Sequence, residues 1–167
     1  MIKIFYLTGI LAGLSLLVSL AQWNPAFSVT PSSTSDPTPV PASSERDSLI
    51  ITFERLGCFG FCPIYRLQIR GTGEVVYDGK ENVEIEGQRT YQLSQQDVSS
   101  LIDAFDRANF WSLADRYEGG YTDAPAAIIT ITQAGTTKAV FHYSAAPDAP
   151  QALVDLEQHI DAIALPR

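Results

Sequence analysis

Residues 65–70 alternate between apolar and polar side chains, and this alternation constrains the fold more than any other feature of the sequence. A repeat of two residues is typical of a β-strand with one face in the core and the other in water. The alternating positions are Tyr65, Leu67 and Ile69 on the apolar side and Arg66, Gln68 and Arg70 on the polar side. Gly71 and Gly73 then supply a turn, and residues 74–77 return as a partner strand. The sequence therefore predicts an antiparallel meander.

Further strands are predicted on both sides of this hairpin. Residues 49–53 form a short, apolar, β-rich run that reads as a first strand. Asp78 and Gly79 are a second hairpin signal, and residues 83–85 and 91–93 are predicted to continue the meander. Residues 128–132 and 138–143 are predicted to pair as a later hairpin around a turn at Gly135.

Two helices complete the predicted fold. Ser94, three residues ahead of Asp97, fits a helix N-cap. The apolar residues that recur at helical spacing after it are Val98, Leu101, Ile102, Phe105 and Ala108. The residues predicted to fold the chain back onto the core are Phe110, Trp111 and Leu113. Pro147 and Pro150 open a last helix, whose apolar residues are Leu153, Leu156, Ile160 and Ile163. The order of β-meander, helix, β-hairpin and C-terminal helix predicts an α+β domain with both helices packed on one face of the sheet.

The first 21 residues are predicted to be a targeting segment. Residues 4–21 are uncharged and apolar, follow a single Lys3, and end in Ser19-Leu20-Ala21, which is a small-x-small cleavage pattern. This pattern predicts a signal peptide at residues 1–21 and an exported protein, either periplasmic or extracellular. The alternative is an uncleaved membrane anchor, because a run of this length lies at the lower limit for spanning a bilayer.

The remaining chain divides by composition. Residues 22–46 are rich in Ser, Thr and Pro and cannot bury enough apolar surface to offset their chain entropy, so they are predicted to be a disordered linker. Residues 47–167 are predicted to form a single α+β domain, which is long enough to build a core without a metal.

The charge balance narrows the class of partner. The chain has 11 basic and 19 acidic residues and a net charge of −8. Nucleic-acid binding needs clustered Lys and Arg, so no nucleic-acid partner is expected. The same reasoning argues against docking on an anionic membrane surface, and membrane contact is expected only through residues 4–21 if they stay uncleaved. What remains is a protein or small-molecule partner in the cell envelope.

Residues 57–65 contain both cysteines of the chain, four positions apart between two predicted strands. Gly57 and Gly60 allow a tight turn, and an even cysteine count in an exported chain predicts a Cys58–Cys62 disulfide. Two alternatives stay open. The C-x-x-x-C-P spacing resembles the copper-chaperone motif of the Sco type, in which His142 or His159 could complete a thiolate site. The cysteines could also be a redox couple if a nearby cation lowered a thiol pKa.

Three motifs together resemble the bacterial exported domain catalogued as domain of unknown function 6438. They are C-x-G-x-C-P-x-Y from Cys58 to Tyr65, G-x-G-x-V-x-Y from Gly71 to Tyr77, and Tyr-Thr-Asp-x-Pro at Tyr121, Thr122, Asp123 and Pro125. The resemblance covers the chain from Ile50 to about Ala162. It implies a small α+β domain, often exported, and brings no activity, cofactor or catalytic residue.

Sequence motifs of the common enzyme classes are absent from the chain, including G-x-S-x-G, H-E-x-x-H, the P-loop and the EF-hand loop. His142 and His159 are expected to be packed or surface histidines rather than catalysts. Glu84 and Glu86 are predicted to share one face of a strand, and an exposed polar face is preferred there to a cation site. The sequence therefore predicts no catalytic residue, no cofactor and no metal ligand outside the copper alternative.

The sequence is interpreted instead as a non-catalytic binding or interaction module. Phe59 and Phe61, between the cysteines, would form a small apolar patch if exposed, with Tyr65 close by. Residues 117–125 form a glycine-containing loop in which Tyr121 and Asp123 are further candidates for binding. The alternative for this loop is an Asx-type turn, in which Asp123 hydrogen-bonds the backbone before the next strand.

Overall fold

The computed structural model describes residues 46–120 and 123–167. The predicted signal peptide and nearly all of the predicted linker lie outside the described residues. Within them, the chain forms a seven-stranded sheet in the order β4-β3-β2-β1-β6-β7-β5. The strands are β1 (Ile50–Leu56), β2 (Ile64–Arg70), β3 (Glu74–Glu81), β4 (Gly87–Gln92), β5 (Arg116–Tyr117), β6 (Ala126–Gln133) and β7 (Thr136–Tyr143). All neighbours pair antiparallel except β5, which runs parallel to β7.

Two α-helices pack on this sheet, α1 (Gln95–Arg107) and α2 (Gln151–Ala164). The predicted N-cap of α1 is confirmed as a reciprocal capping box with Asp97. The Asp97 backbone N–H donates to Ser94 Oγ at 3.1 Å, and the Ser94 backbone N–H donates to the Asp97 carboxylate at 3.3 Å. Two helix-end donors are thereby satisfied, which is why the helix begins at this point.

The core lies between the helices and one face of the sheet. Tyr65, Leu67 and Ile69 are buried, whereas Arg66 and Arg70 on the opposite face are exposed. The helix residues buried against them are Val98, Leu101, Ala104 and Phe105 of α1 and Leu153, Leu156, Glu157, Ile160 and Ala164 of α2. The predicted α+β class, with both helices on one face of a mostly antiparallel sheet, is confirmed.

The second predicted hairpin is wrong in its position. Asp78 and Gly79 do not form a turn, because β3 continues through them to Glu81. Residues 83–85, predicted as a strand, lie instead in the loop that joins β3 to β4. A Cβ at Gly79 would overlap the Ile85 carbonyl, so glycine is required there for the close approach of this loop rather than for a turn. Asn82 and Gly87, both with positive φ, make the turn instead.

Two other predictions need correction near the end of α1. Phe110 is buried as expected, but Trp111 is 41% exposed and does not fold back onto the core. The short strand β5 was not predicted, because two residues carry no periodicity. Its Tyr117 pairs with His142 of β7 and is buried.

Candidate functional site

One row of residues across the sheet carries polar side chains into the helix-covered face. Arg55 on β1 lies opposite Tyr65 on β2 and opposite Ala127 on β6, and Ala127 lies opposite His142 on β7. Arg55 is two positions from the fully buried Phe53, so both side chains leave the strand on the same face. The small Ala127 leaves room between Arg55 and His142 for side chains of α2.

The helix supplies two carboxylates to this row, and the five residues bonded together there, which we call the Arg55 cluster, are Arg55, Tyr65, His142, Glu157 and Asp161. Glu157 and Asp161 are four positions apart on α2 and so lie on one side of it. Arg55 Nη1 donates to Glu157 Oε2 at 2.6 Å, and Nη2 donates to Asp161 Oδ2 at 2.8 Å. The Tyr65 hydroxyl donates to Asp161 Oδ1. His142 Nδ1 lies 2.6 Å from Glu157 Oε1, and both side chains are 5% exposed.

Burial and pairing fix the protonation of two members of the cluster. Burial raises the pKa of Tyr65, and its hydrogen bond to Asp161 raises it further. Burial alone would lower the pKa of Arg55, but attraction to Asp161 and Glu157 outweighs it, and the net shift is upward. At neutral pH, Tyr65 is therefore a neutral donor and Arg55 a fixed cation, which suits holding a structure or a ligand rather than transferring protons.

Three members of the cluster, Arg55, Tyr65 and Asp161, lie in the polar floor of an open cleft of about 420 Å³ at one end of the sheet. Its walls come from Pro63, the β3–β4 loop and the residues that follow α2. The floor residues are Arg55, Tyr65, Tyr77 and Asp161, and the wall and rim residues are Pro63, Asn82, Val83, Glu84, Ile85, Leu165 and Pro166. Apolar walls with a few fixed polar groups at the base are typical of ligand-binding clefts.

The disulfide loop, residues 57–63, borders this cleft. Cys58 and Cys62 are joined by a disulfide, with their Cα atoms 5.7 Å apart, and Gly60 has a φ of 152° between them. Asn82 Nδ2 donates to the Cys62 carbonyl at 3.1 Å and so links the β3–β4 loop to the disulfide loop. Both walls on this side of the cleft are therefore held to each other.

Phe59 and Phe61 stand out from the loop into solvent. Their side chains are 88% and 93% exposed, far more than Trp111, the next large apolar residue in the described part of the chain. Neither ring contributes to the core. The sequence predicted an apolar patch if both rings were exposed, and both rings are exposed.

The other candidate residues fall in different surroundings. Tyr65 is 4% exposed and lies in the cleft floor rather than on the loop surface. Asp123 is exposed, three residues ahead of Ala126, which pairs with Leu56 just before the disulfide loop. Tyr121 lies outside the described residues. The structure thus brings the disulfide loop and Tyr65 together and places Asp123 at the same end of the sheet.

The proposed metal ligands are not gathered in this structure. Cys58 and Cys62 are bonded to each other, and His142 is held by Glu157 inside the core. Within residues 46–120 and 123–167, no three His, Cys, Asp or Glu side chains are grouped so as to hold a metal ion. The prediction that Glu84 and Glu86 share a strand face is wrong, because both lie in the β3–β4 loop, with Glu84 on the cleft rim.

A serine–histidine contact joins the helices elsewhere. Ser100 Oγ lies 2.9 Å from His159 Nε2. Ser100 is in the middle of α1, where the neighbouring backbone N–H groups are bonded within the helix and cannot form an oxyanion hole. This contact is therefore interpreted as a link between α1 and α2 and not as a nucleophile with its base.

Sequence reasoning missed the three charged members of the cluster. Glu157 and Asp161 were the available signal, because they interrupt the apolar stripe of α2 next to Leu156 and Ile160. A carboxylate inside such a stripe needs a buried cation or donor. The sequence does not say which strand supplies it, since that depends on the pairing of β1 with both β2 and β6.

The comparison with known families identifies a family and brings no activity. The family described as "Domain of unknown function (DUF6438)" matches residues 49–164, which is more than half of the chain. The match includes the disulfide loop, the Arg55 cluster and the residues that line the cleft except Leu165 and Pro166. None of the curated proteins matches the sequence.

Proposed function

Because the chain belongs to the DUF6438 family, which is defined without a function, we propose a role from the geometry: an exported, non-catalytic binding module. In this proposal the disulfide loop and the adjacent cleft together engage a protein or small-molecule partner in the cell envelope.

The observation that carries the proposal is the exposure of Phe59 and Phe61 on a closed loop. Moving a phenylalanine side chain from water into an apolar contact is worth about 2 kcal/mol, so two exposed rings are a substantial unused source of binding energy. The disulfide also restricts the loop before any partner arrives. Less conformational freedom is then lost on binding, and more of the contact energy appears as affinity.

The cleft adds a place for a smaller group beside the rings. Its volume of about 420 Å³ falls within the range of small-molecule sites. The Arg55 cluster keeps the polar groups of the floor fixed, because each carboxylate is held by two partners. A rigid floor and apolar walls favour binding over chemistry, since the described residues that line the cleft include no serine, threonine, cysteine, lysine or histidine.

Export is supported by two observations. The Cys58–Cys62 disulfide belongs to an oxidising compartment, and residues 1–21 have the pattern of a signal peptide. No helix in the described part of the chain is long and apolar enough to cross a membrane.

The test is partner capture by a photo-crosslinking side chain introduced at Ser144, on the exposed turn after β7, in cells that make the full chain. We expect a discrete crosslinked product that the double variant Phe59→Ser, Phe61→Ser abolishes. The matched control is Trp111→Ser, which also removes an exposed aromatic ring but lies away from the loop and should leave the product unchanged.

Two outcomes would overturn the proposal. One is a product that persists in the double variant while the protein stays folded. The other is stoichiometric Cu(I) uptake by the reduced protein that is lost in Cys58→Ser, which would favour the thiol-dependent alternative.

A further inference from the structure

The strand β4 forms one edge of the sheet and is exposed along its length. Its one neighbour among the described residues is β3, and five of its six residues are exposed, with Tyr91 half-buried. The opposite edge, β5, has two residues and offers little to pair with. Among the described residues, β4 is therefore the edge strand that is open over its whole length, while β5 covers only Phe141 and His142 of β7 at the other edge.

The register fixes which backbone groups of β4 face outward. The Leu93 N–H donates to the Gly73 carbonyl at 2.9 Å, so odd-numbered positions bond toward β3. Gln88, Thr90 and Gln92 consequently turn their N–H and C=O groups away from the sheet. At Gln88 the outward carbonyl accepts from Arg89 Nη1 at 2.9 Å, so an exposed side chain occupies a position that a neighbouring strand would fill.

We propose that β4 is the contact strand of a homodimer, in which the β4 strands of two copies pair antiparallel with Thr90 opposite Thr90. In this register Gln88 of each copy lies opposite Gln92 of the other. All three outward-facing residues then exchange both hydrogen bonds with the second copy. Registers shifted by two residues leave some of these groups unpaired, so this register satisfies the edge most completely.

The side chains of β4 favour a second copy as the partner. Thr–Thr pairs stabilise neighbouring strands. Gln92 Nε2 donates to the Thr72 carbonyl of its own chain at 2.6 Å, which leaves the Gln92 side-chain oxygen to accept from Gln88 of the other copy. Arg89, the one charged residue of the strand, falls opposite Tyr91 rather than opposite another Arg89. Antiparallel pairing also places the acidic β3–β4 loops of the two copies at opposite ends of the contact.

The edge lacks the features that usually prevent such pairing. β4 contains no proline, and its pairing with β3 continues without a bulge over residues 87–92. Natural edge strands are commonly protected by prolines, bulges or several charges. Because both copies use the same strand, the contact is isologous, and the assembly closes as a twofold dimer.

The test uses the full chain as recovered from its native compartment. We expect sedimentation to show a monomer–dimer equilibrium, and the amides of Gln88, Thr90 and Gln92 to exchange more slowly as protein concentration rises. Thr90→Lys places two like charges opposite each other and should raise the dimer dissociation constant about fivefold. Gln88→Lys is the matched control, since its charge faces Gln92 and should change the constant little.

Three results would overturn the proposal. The first is a monomer at every concentration with unprotected amides. The second is protection that does not depend on concentration, which would mean that another segment of the same chain covers the edge. The third is an equal effect of the two lysine variants, which would exclude the Thr90-centred register even if a dimer forms.

Discussion

At the scale of single residues, Arg55 is a mostly buried cation whose charge is matched from one helix. Its guanidinium contacts Glu157 and Asp161 and also lies 4.7 Å from the centre of the Phe53 ring. A buried ion pair contributes little net stability compared with apolar packing, but removing one partner leaves the others uncompensated. Removing one member of the cluster should therefore destabilise the fold more than replacing all of its charged residues by well-packed apolar ones.

We expect Arg55→Met to lower the free energy of unfolding by about 3 kcal/mol, because Glu157 and Asp161 lose their common cation while most of the apolar packing is kept. Urea unfolding measures the change. Arg66→Met is the matched control, since Arg66 is exposed and lies 3.7 Å from Glu54, and its loss should cost no more than about 0.5 kcal/mol. Equal effects of the two variants would contradict this account of the cluster.

Tyr91 gives a prediction for the pH dependence of stability. Burial raises the pKa of Tyr91 to about 12, with a smaller contribution from Tyr77, and its hydroxyl donates to the Ala164 carbonyl. In the unfolded chain a tyrosine loses its proton near pH 10. The unfolded state thus gives up this proton first as the pH rises. The contribution of Tyr91 to stability is complete below pH 10 and is lost between pH 10 and about 12.

We expect the midpoint of urea unfolding to fall as the pH rises from 10 to about 12. The midpoint of the Tyr91→Phe variant should fall less steeply, because phenylalanine has no proton to lose in this range. The pH range well below 10 is the control, since Tyr91 holds its proton there in both states and the difference in midpoint between the two proteins should stay constant. A Tyr91→Phe slope that matches that of the unaltered protein would show that Tyr91 does not cause the alkaline loss.

At the scale of elements, the N-terminus of α1 depends on one side chain. Ser94→Ala removes the acceptor for the Asp97 N–H and should lower the free energy of unfolding by about 1 kcal/mol. Ser99→Ala, inside the same helix, is the control and should be neutral or slightly stabilising because alanine is the better helix former. Chemical unfolding distinguishes the two variants, and an equal loss from both would contradict a capping role.

The elements that the sequence predicted well are those with local causes. The alternation of β2 and the capping box of α1 depend on neighbours within a few residues, and both are confirmed. The Asp78-Gly79 pair misled because glycine served a close contact with Ile85 and not a turn. β5 could not be predicted, since its two residues are ordered by pairing with β7, far along the chain.

The candidate site also has one part that depends on neighbouring residues and one part that depends on residues far apart in the sequence. The Cys58–Cys62 disulfide follows from spacing and cysteine count, and it is present. The Arg55 cluster joins β1, β2, β7 and α2 across as many as 106 positions of sequence. Its members meet only once the strand order places β1 between β2 and β6. Whether Phe59 and Phe61 bind a partner stays a prediction.

At the scale of the whole molecule, processing and cysteine state can be measured together. Cleavage after Ala21 gives a chain that begins at Gln22, and a closed disulfide takes up no alkylating agent. We expect the intact mass of protein recovered from its native compartment to match residues 22–167. It should gain two alkyl groups only after reduction, because Cys58 and Cys62 are the two cysteines of the chain.

The control is protein that is unfolded, then reduced and then alkylated. It shows the full gain of two alkyl groups whatever the state of the cysteines in the native protein. A full-length mass would contradict cleavage and indicate a domain tethered by residues 4–21. Alkylation without reduction would contradict the disulfide in the native compartment. In that case Phe59 and Phe61 would lie on an open loop that keeps its conformational freedom until a partner binds, and part of the contact energy would be lost in ordering the loop.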